Sequence, residues 1–97
     1  MFASVREVTY DPEKLARGQT QAEEFRRLRA QQPGYKGTVT VDGEDGRSLT
    51  VTLWETPEQQ QAAQAVLEPQ AQRLMGALWK APSRVIGRGN VSYNDLS

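Results

Sequence analysis

Hydrophobic and polar residues alternate in four stretches of this chain, which is the pattern of strands that bury one face. The first stretch, FASVREVTY, and the second, YKGTVTVD, are rich in β-branched and aromatic residues. The short charged segment DGEDGR leads from the second stretch to the third, SLTVTLWE, so these two strands should pair antiparallel. A fourth stretch is SRVIGRGNVSY. The pattern predicts strands over residues 2–10, 35–42, 48–55 and 83–93.

A helix with one apolar face is predicted between the first two strands, running to Gln32. Asp11-Pro12-Glu13 supplies a capping side chain, a proline suited to the first helical position and a carboxylate at the positive end of the helix dipole. Pro33-Gly34 ends the helix. Gly18 weakens it by about 1 kcal/mol relative to alanine, unless close packing requires the missing side chain. The apolar residues at buried spacing are Leu15, Ala22, Phe25 and Leu28.

The same start signal precedes a second helical region. Thr56-Pro57-Glu58 repeats the cap, the proline and the carboxylate, and Gln59 is placed to complete a capping box. Proline inside a helix costs about 3 kcal/mol, so we expect a kink or a break at Pro69 that gives two shorter helices. Pro82 should end the second of them. The apolar positions of this region are Ala62, Ala63, Val66, Leu67, Leu74, Met75 and Leu78.

The order of the predicted elements is βαββαβ, a split βαβ plan. It predicts an α+β fold with a ferredoxin-like protomer, in which a four-stranded antiparallel sheet carries the helices on one face. The length of 97 residues is enough for one domain, which we place over residues 1–97.

Composition narrows the chemistry that the chain can perform. Twelve Lys and Arg balance twelve Asp and Glu, and a net charge of zero argues against nucleic acid as a partner. The chain has no cysteine and no histidine, which removes thiolate chemistry and the commonest metal ligands, and we expect no metal site. The sequence has neither a signal peptide nor a stretch long enough to span a membrane, which predicts a cytoplasmic protein without a membrane partner.

The third strand divides into two unlike rows of side chains. One row is Leu49, Val51 and Leu53, and the other is Thr50, Thr52 and Trp54. Strand two divides in the same way into Tyr35, Gly37, Val39 and Val41 on one face and Lys36, Thr38 and Thr40 on the other. Helices cover only one sheet face, and an apolar face left in water invites association, so we expect a second copy of the chain to cover the other face. A register change of one residue would exchange the two rows, so the sequence leaves open which row faces the helices.

The element order, the Pro33-Gly34-Tyr35 start of strand two, the charged hairpin and the LTVTLWET run together resemble the antibiotic-biosynthesis-monooxygenase superfamily. The resemblance extends from Phe2 to about Tyr93. It implies a dimeric α+β barrel, with Trp54, Thr50 and Thr52 over a cavity between sheet and helices. The cofactor-free oxygenases of that family oxidise polycyclic phenols to quinones. Its haem-degrading members use a histidine ligand and an asparagine on strand one, where this chain has Arg6 and Glu7, which argues against haem degradation.

Two functions remain open at this point. The first is a cofactor-independent monooxygenase-like activity on a small aromatic or quinone-type compound in an apolar cavity, with no cofactor. The second is a non-catalytic dimeric module that binds a small hydrophobic or aromatic ligand or has a structural role, which the lack of a paired general acid and base favours.

The catalytic residues stay unassigned. Trp54 is either a core residue or the wall of the cavity. Trp79, expected at the end of the second helical region, is either a packing residue, the commoner outcome for a tryptophan at a helix end, or faces Trp54 across the cleft. The candidates to favour a substrate anion are Tyr35, Arg84, Arg29 and Glu55. Arg84 either stabilises a phenolate or is a surface arginine, and Glu55 is a poor base because it lies beside a helix N-terminus. The candidate lining residues are Trp54, Thr52, Thr50, Phe25, Met75, Trp79, Tyr35 and Arg84.

Overall fold

Strands and helices follow one another in the predicted order in a computed structural model, which describes residues 1–95. The elements are β1 (Phe2–Tyr10), α1 (Pro12–Arg17), α2 (Gln19–Ala30), β2 (Tyr35–Asp42), β3 (Arg47–Trp54), α3 (Pro57–Met75) and β4 (Trp79–Asn90), with a 3-10 turn over Gly76–Leu78. The four strands form one antiparallel sheet in the order β2-β3-β1-β4, and the helices pack on one face. The predicted α+β, ferredoxin-like fold is confirmed.

The first helical region is two helices rather than the single helix that we predicted. Gly18 lies between α1 and α2 with φ −100° and ψ 23°. A Cβ atom at this position would lie 2.6 Å and 2.8 Å from the two methyl carbons of Leu78. Leu78 is buried in the core, so Gly18 is the residue that permits this close approach. The cap at the start of α1 is as predicted, because the Asp11 carboxylate accepts hydrogen bonds from the N–H groups of Glu13 and Lys14.

The third helix, α3, continues through Pro69, so the predicted division into two helices is wrong. Pro69 lies on the exposed side of α3. Burial of the opposite side outweighs the lost hydrogen bond, because tertiary packing dominates helix stability in proteins. Thr56 caps the helix by accepting a hydrogen bond from the N–H of Gln59 at 3.1 Å. The buried apolar residues are Ala63, Leu67, Leu74 and Met75.

Trp79 begins strand β4 rather than ending a helix, so the last strand starts at Trp79 and not at Ser83 as predicted. Pro82 therefore lies inside a strand. It is tolerated there because β4 is an edge strand of the sheet, where one side of the backbone has no ladder partner. The pairing of β1 with β4 also shifts register between Glu7 and Thr9, next to this proline.

A β-bulge near the start of β2 changes the face on which Tyr35 lies. Tyr35 pairs with Trp54 and Gly37 pairs with Leu53, so the residue between them is the extra one. Tyr35 consequently shares a face with Thr38, and their side-chain oxygens are 2.8 Å apart. Simple alternation had placed Tyr35 on the opposite face, so that part of the prediction is wrong.

Two apolar clusters occupy the space between sheet and helices, one near each end of β1. The Leu74 cluster consists of the buried residues Ala22, Leu74, Met75 and Leu78, against which Tyr10, Leu15 and Trp79 pack. The Trp54 cluster consists of the buried residues Trp54, Ala63 and Leu67, against which Phe2 and Tyr35 pack. Phe25 and Leu28 of α2 pack against both clusters and connect them.

The other face of the sheet is apolar and uncovered along β2 and β3. Val39, Val41 and Leu49 keep 54%, 57% and 36% of their surface exposed. No helix within residues 1–95 is long and apolar enough to cross a membrane.

Candidate functional site

A cavity of about 390 Å³ lies between the sheet and the helices. That volume is in the range of about 300–1,000 Å³ that is usual for small-molecule sites. Alternate residues of the two central strands face it, because side chains of a strand point to opposite faces in turn. On β1 these include Ser4, Arg6 and Val8, and on β3 they include Thr50, Thr52 and Trp54. The register of β3 thus turns the Thr/Trp row towards the helices.

Trp54 belongs to the core and to the cavity wall at once. Only 3% of its surface is exposed, and its indole packs against Ala63 and Leu67. The ring of Tyr35 meets it edge to face, with the ring centroids 5.8 Å apart and the planes at 79°. The indole N–H is buried and has no acceptor among residues 1–95, a situation that costs about 1–3 kcal/mol for a neutral donor.

Trp79 also lines the cavity, but it does not face Trp54, so of the two interpretations of Trp79 the one across the cleft is wrong. Trp54 on β3 pairs with Phe2 at one end of β1, and Trp79 on β4 pairs with Tyr10 at the other end of β1. A strand rises about 3.3 Å per residue, which separates the two tryptophans by roughly 26 Å along β1. The cavity therefore has one tryptophan towards each end.

Phe25 of α2 and Met75 of α3 line the cavity, and they also pack within the apolar clusters. Their spacing on the helices is that of core residues, so the same side chains serve both purposes. The walls near the two clusters are consequently apolar, whereas the middle of the sheet presents polar groups.

Arg6 is the polar residue on this surface that the sequence reasoning missed as a site residue. It lies on β1 directly across from Thr50 and midway between Phe2 and Tyr10. Its side chain is partly buried, its Nε–H has no acceptor, and it forms no ion pair within residues 1–95. Dividing β1 into two faces, as was done for β3, would have placed Arg6 beside Ser4 and Val8.

Arg29 of α2 brings a second guanidinium to the cavity. Burial lowers its pKa, and the neighbouring Tyr35 hydroxyl partly offsets that effect. The guanidinium carbon lies 5.8 Å from the centre of the Phe25 ring, within the range of a cation–π contact.

Tyr10 places a phenol at the end of the cavity near Trp79. Burial is the main cause that raises its pKa, and the positive charge of Arg29 opposes this shift. Tyr10 therefore stays protonated near neutral pH and is suited to donate a hydrogen bond rather than to accept a proton.

Three of the sequence candidates lie outside the cavity lining. Arg84 is exposed, and its guanidinium binds Glu7 at 3.1 Å on the face of the sheet away from the helices, so its assignment to the pocket is wrong. Strand alternation explains this, because Arg84 pairs with Glu7 and not with Arg6. Tyr35 lies behind Trp54 and contacts it rather than the cavity. Glu55 is exposed beyond the end of β3.

The carboxylates of the lining, Asp42 and Glu68, are both exposed. Asp42 accepts a hydrogen bond from the Ser48 hydroxyl at 2.9 Å. Within residues 1–95 no three His, Cys, Asp or Glu side chains are grouped so that they could hold a metal ion. The partly buried charges of the cavity, Arg6 and Arg29, are both positive.

Solved structures with the same fold include several monooxygenases. SnoaB, a cofactor-independent oxygenase from Streptomyces nogalater, superposes with a TM-score of 0.72 at 17% sequence identity, covering 99% of this chain and 97% of SnoaB. An antibiotic biosynthesis monooxygenase superposes with a TM-score of 0.74 at 11% identity, covering 96% and 100% of the two chains. The NE2512 protein of unknown function from Nitrosomonas europaea gives 0.77 at 10% identity, covering 99% and 93%. No protein-family model and no curated protein sequence matches the chain. At these identities the comparison establishes a shared fold.

Proposed function

We propose that this protein is a cofactor-independent monooxygenase-like enzyme that acts on a small aromatic or quinone-type compound. The observation that carries the proposal is the 390 Å³ cavity, which has apolar walls near both ends and cationic groups along its length. The shared fold with the cofactor-independent oxygenase SnoaB supports the same reaction class.

The substrate of such a reaction supplies the electrons that reduce oxygen. An anthrone-type substrate loses a proton from its CH₂ group to form a delocalised anion, and this anion transfers an electron to O₂. The resulting radicals combine into a C–O bond, the peroxide anion takes back the proton that the CH₂ group gave up to solvent, and the hydroperoxide loses water, so that anthrone and O₂ give anthraquinone and H₂O. The contribution of this chain is to hold the anion away from water beside Arg6 and Arg29, whose positive charge favours ionisation of the substrate.

The cavity itself is the feature to test, using oxygen uptake with anthrone as the substrate. Ala71 of α3 lines the cavity, whereas Ala65 on the same helix is exposed and does not. Ala71→Phe should fill the cavity and abolish oxygen uptake, and Ala65→Phe is the matched control that should retain it. Equal turnover by both variants would place the reaction outside this cavity.

The alternative function is a non-catalytic module that binds a small hydrophobic or aromatic ligand. One observation favours it: the lining combines an already protonated phenol, Tyr10, with two exposed carboxylates, so no buried base is aimed at a substrate. Two results together would establish this function. The wild type would bind anthrone saturably without taking up oxygen, and Ala71→Phe would abolish that binding.

We further propose that the uncovered face of the sheet packs against a second copy of the chain. The exposed row Val39, Val41 and Leu49 supports this, because soluble monomers seldom leave a contiguous apolar patch in water. Association of two such faces would give the dimeric α+β barrel expected from the family resemblance, and it would leave the cavity on the outer side of each sheet.

A further inference from the structure

We propose that Arg6 is the anchor for a ligand carboxylate, so that the cavity prefers aromatic carboxylates to neutral aromatic compounds of the same shape. The proposal deepens the proposed function, on which it rests for the placement of the ligand in this cavity. The preference concerns ligand binding alone, so it applies whether or not the bound ligand is oxidised.

The charge balance of the cavity is the first argument. Arg6 and Arg29 are partly buried, while Asp42 and Glu68, the carboxylates on the same lining, are exposed. The remaining charged lining residue, Arg26, is exposed and positive. Moving a charge out of water is costly unless an opposite charge accompanies it. The interior of the cavity therefore has a positive charge that no described residue neutralises, and an anionic ligand would supply the missing charge.

The surroundings of Arg6 are the second argument. Arg29 has partial compensation, since it stacks near Phe25 and interacts with the Tyr35 hydroxyl. Arg6 has neither an aromatic partner nor an ion pair within residues 1–95, and its Nε–H lacks an acceptor. The Nε–H of Arg29 also lacks an acceptor within residues 1–95. What distinguishes Arg6 is that it lacks the aromatic ring and the tyrosine hydroxyl that lie beside Arg29.

The shape of a guanidinium group also matches a carboxylate better than it matches a neutral oxygen group. A guanidinium presents parallel N–H donors that match the two oxygens of a carboxylate, whereas a neutral phenol or ketone offers it one oxygen. Thr50 lies across from Arg6 on β3 and provides a hydroxyl beside the same point. From Arg6 to either end of β1 is about 13 Å of strand, so the ring of an anchored ligand lies against the apolar residues on one side of Arg6.

The test compares two ligands that share one ring system and differ only in charge. Calorimetric titration of the full-length protein with 2-naphthoate and with methyl 2-naphthoate measures the preference, and neither compound has a CH₂ group that the proposed reaction could oxidise. We expect the wild type to bind 2-naphthoate at least tenfold more tightly than the ester. Arg6→Gln should weaken 2-naphthoate by roughly 10- to 100-fold, as for loss of a hydrogen-bonded ion pair, and leave the ester within about twofold.

Two further variants make the result specific to Arg6. Arg27→Gln removes a guanidinium from the exposed side of α2, away from the cavity, and should leave both affinities unchanged. Arg6→Lys keeps the charge but not the paired donors, and should retain part of the preference for 2-naphthoate. Thermal melting checks the fold, and Arg6→Gln should melt no lower than the wild type, because it removes an uncompensated charge.

Equal affinity of the wild type for the acid and the ester would overturn the proposal. So would unchanged 2-naphthoate binding in Arg6→Gln, or an absence of saturable binding of either compound. Anthrone is neutral and tests the oxygenase separately, so anthrone turnover that Ala71→Phe abolishes would leave the proposed function standing even if the carboxylate preference failed.

Discussion

Trp54 of β3 and Trp79 of β4 line one cavity beside opposite ends of β1, because Trp54 pairs with Phe2 and Trp79 pairs with Tyr10. Their separation of roughly 26 Å along β1 exceeds the length of a two-ring aromatic ligand. A ligand held at Arg6 can therefore extend towards one tryptophan and not towards both. The two indoles are consequently separate reporters of where in the cavity a ligand lies.

Single tryptophan variants should locate the ligand. We expect 2-naphthol or anthrone to quench the emission of the wild type saturably, and to quench only one of the two variants Trp54→Phe and Trp79→Phe. Loss of quenching in Trp54→Phe, with quenching retained in Trp79→Phe, would place the ligand over Thr50 and Thr52. The opposite result would place it beside Tyr10 and Met75. Equal quenching of both variants would contradict the binding of the ligand at one end of the cavity.

The second prediction concerns the junction between α1 and α2. Gly18→Ala should destabilise the protein by about 1–3 kcal/mol, because the added methyl group overlaps the Leu78 side chain, which is fixed in the core. This loss exceeds the gain of up to about 1 kcal/mol that alanine brings to a helix. Gly76→Ala is the matched control, since a Cβ there would come no closer than 3.5 Å to its nearest neighbour and the backbone is already helical.

Urea unfolding followed by circular dichroism measures both glycine variants. Gly18→Ala should shift the midpoint to lower urea with an unchanged slope, and Gly76→Ala should leave it in place or raise it. A Gly18→Ala protein as stable as the wild type would mean that Leu78 can move aside at little cost, and that the break between α1 and α2 has another cause.

The element order and the cap residues were predictable from the sequence because they depend on local chemistry. Asp11 and Thr56 cap their helices as expected, since a short polar side chain directly before a helix accepts hydrogen bonds from the free N–H groups of its first turn. Pro69 was misjudged because local propensity opposes a helix there, whereas burial along the other side of α3 decides the outcome. Tyr35 was misplaced because a bulge is a property of two paired strands, and one strand read alone gives no sign of it.

The candidate site was predictable on β3 and not on β1 or β4. The Thr50, Thr52 and Trp54 row stands out because its polarity contrasts with its apolar neighbours. Arg6 has no such contrast, since Glu7 beside it is also charged. Alternation sends the two side chains to opposite faces, but only the pairing shows which of them faces the helices. Arg84 was assigned to the pocket for its charge alone, and the register of β4 joins it to Glu7 instead.

The third prediction tests the proposed dimer through an exposed valine. Val41→Lys on β2 places a charge in the apolar row of the uncovered sheet face, and we expect it to shift the protein from dimer to monomer in sedimentation velocity. Val66→Lys on α3 is the control, because Val66 is 52% exposed and Val41 is 57% exposed, but Val66 lies on a helix. Val66→Lys should sediment like the wild type.

Sedimentation of the wild type as a monomer at all concentrations would refute the dimer outright. If Val41→Lys and Val66→Lys both stayed dimeric, the interface would lie on another surface. Circular dichroism of Val41→Lys should remain that of a folded α+β protein, since an exposed strand position tolerates lysine.

The fourth prediction uses the raised pKa of Tyr10, which burial causes. The unfolded chain loses the Tyr10 proton near the ordinary value of 10.0, while the folded protein keeps it to higher pH. Between the two values the folded state binds more protons than the unfolded state, so stability falls as pH rises through this window. Tyr10→Phe should make the free energy of unfolding fall less steeply above pH 10, and Tyr93→Phe, which removes a phenol that is 79% exposed, is the matched control. Urea unfolding at a series of alkaline pH values measures the slope, and ultraviolet absorbance of tyrosinate follows the ionisation directly. If Tyr10→Phe and the wild type lost stability in parallel, the phenol of Tyr10 would be titrating as an exposed group, and its placement in the cavity as a hydrogen-bond donor would be wrong.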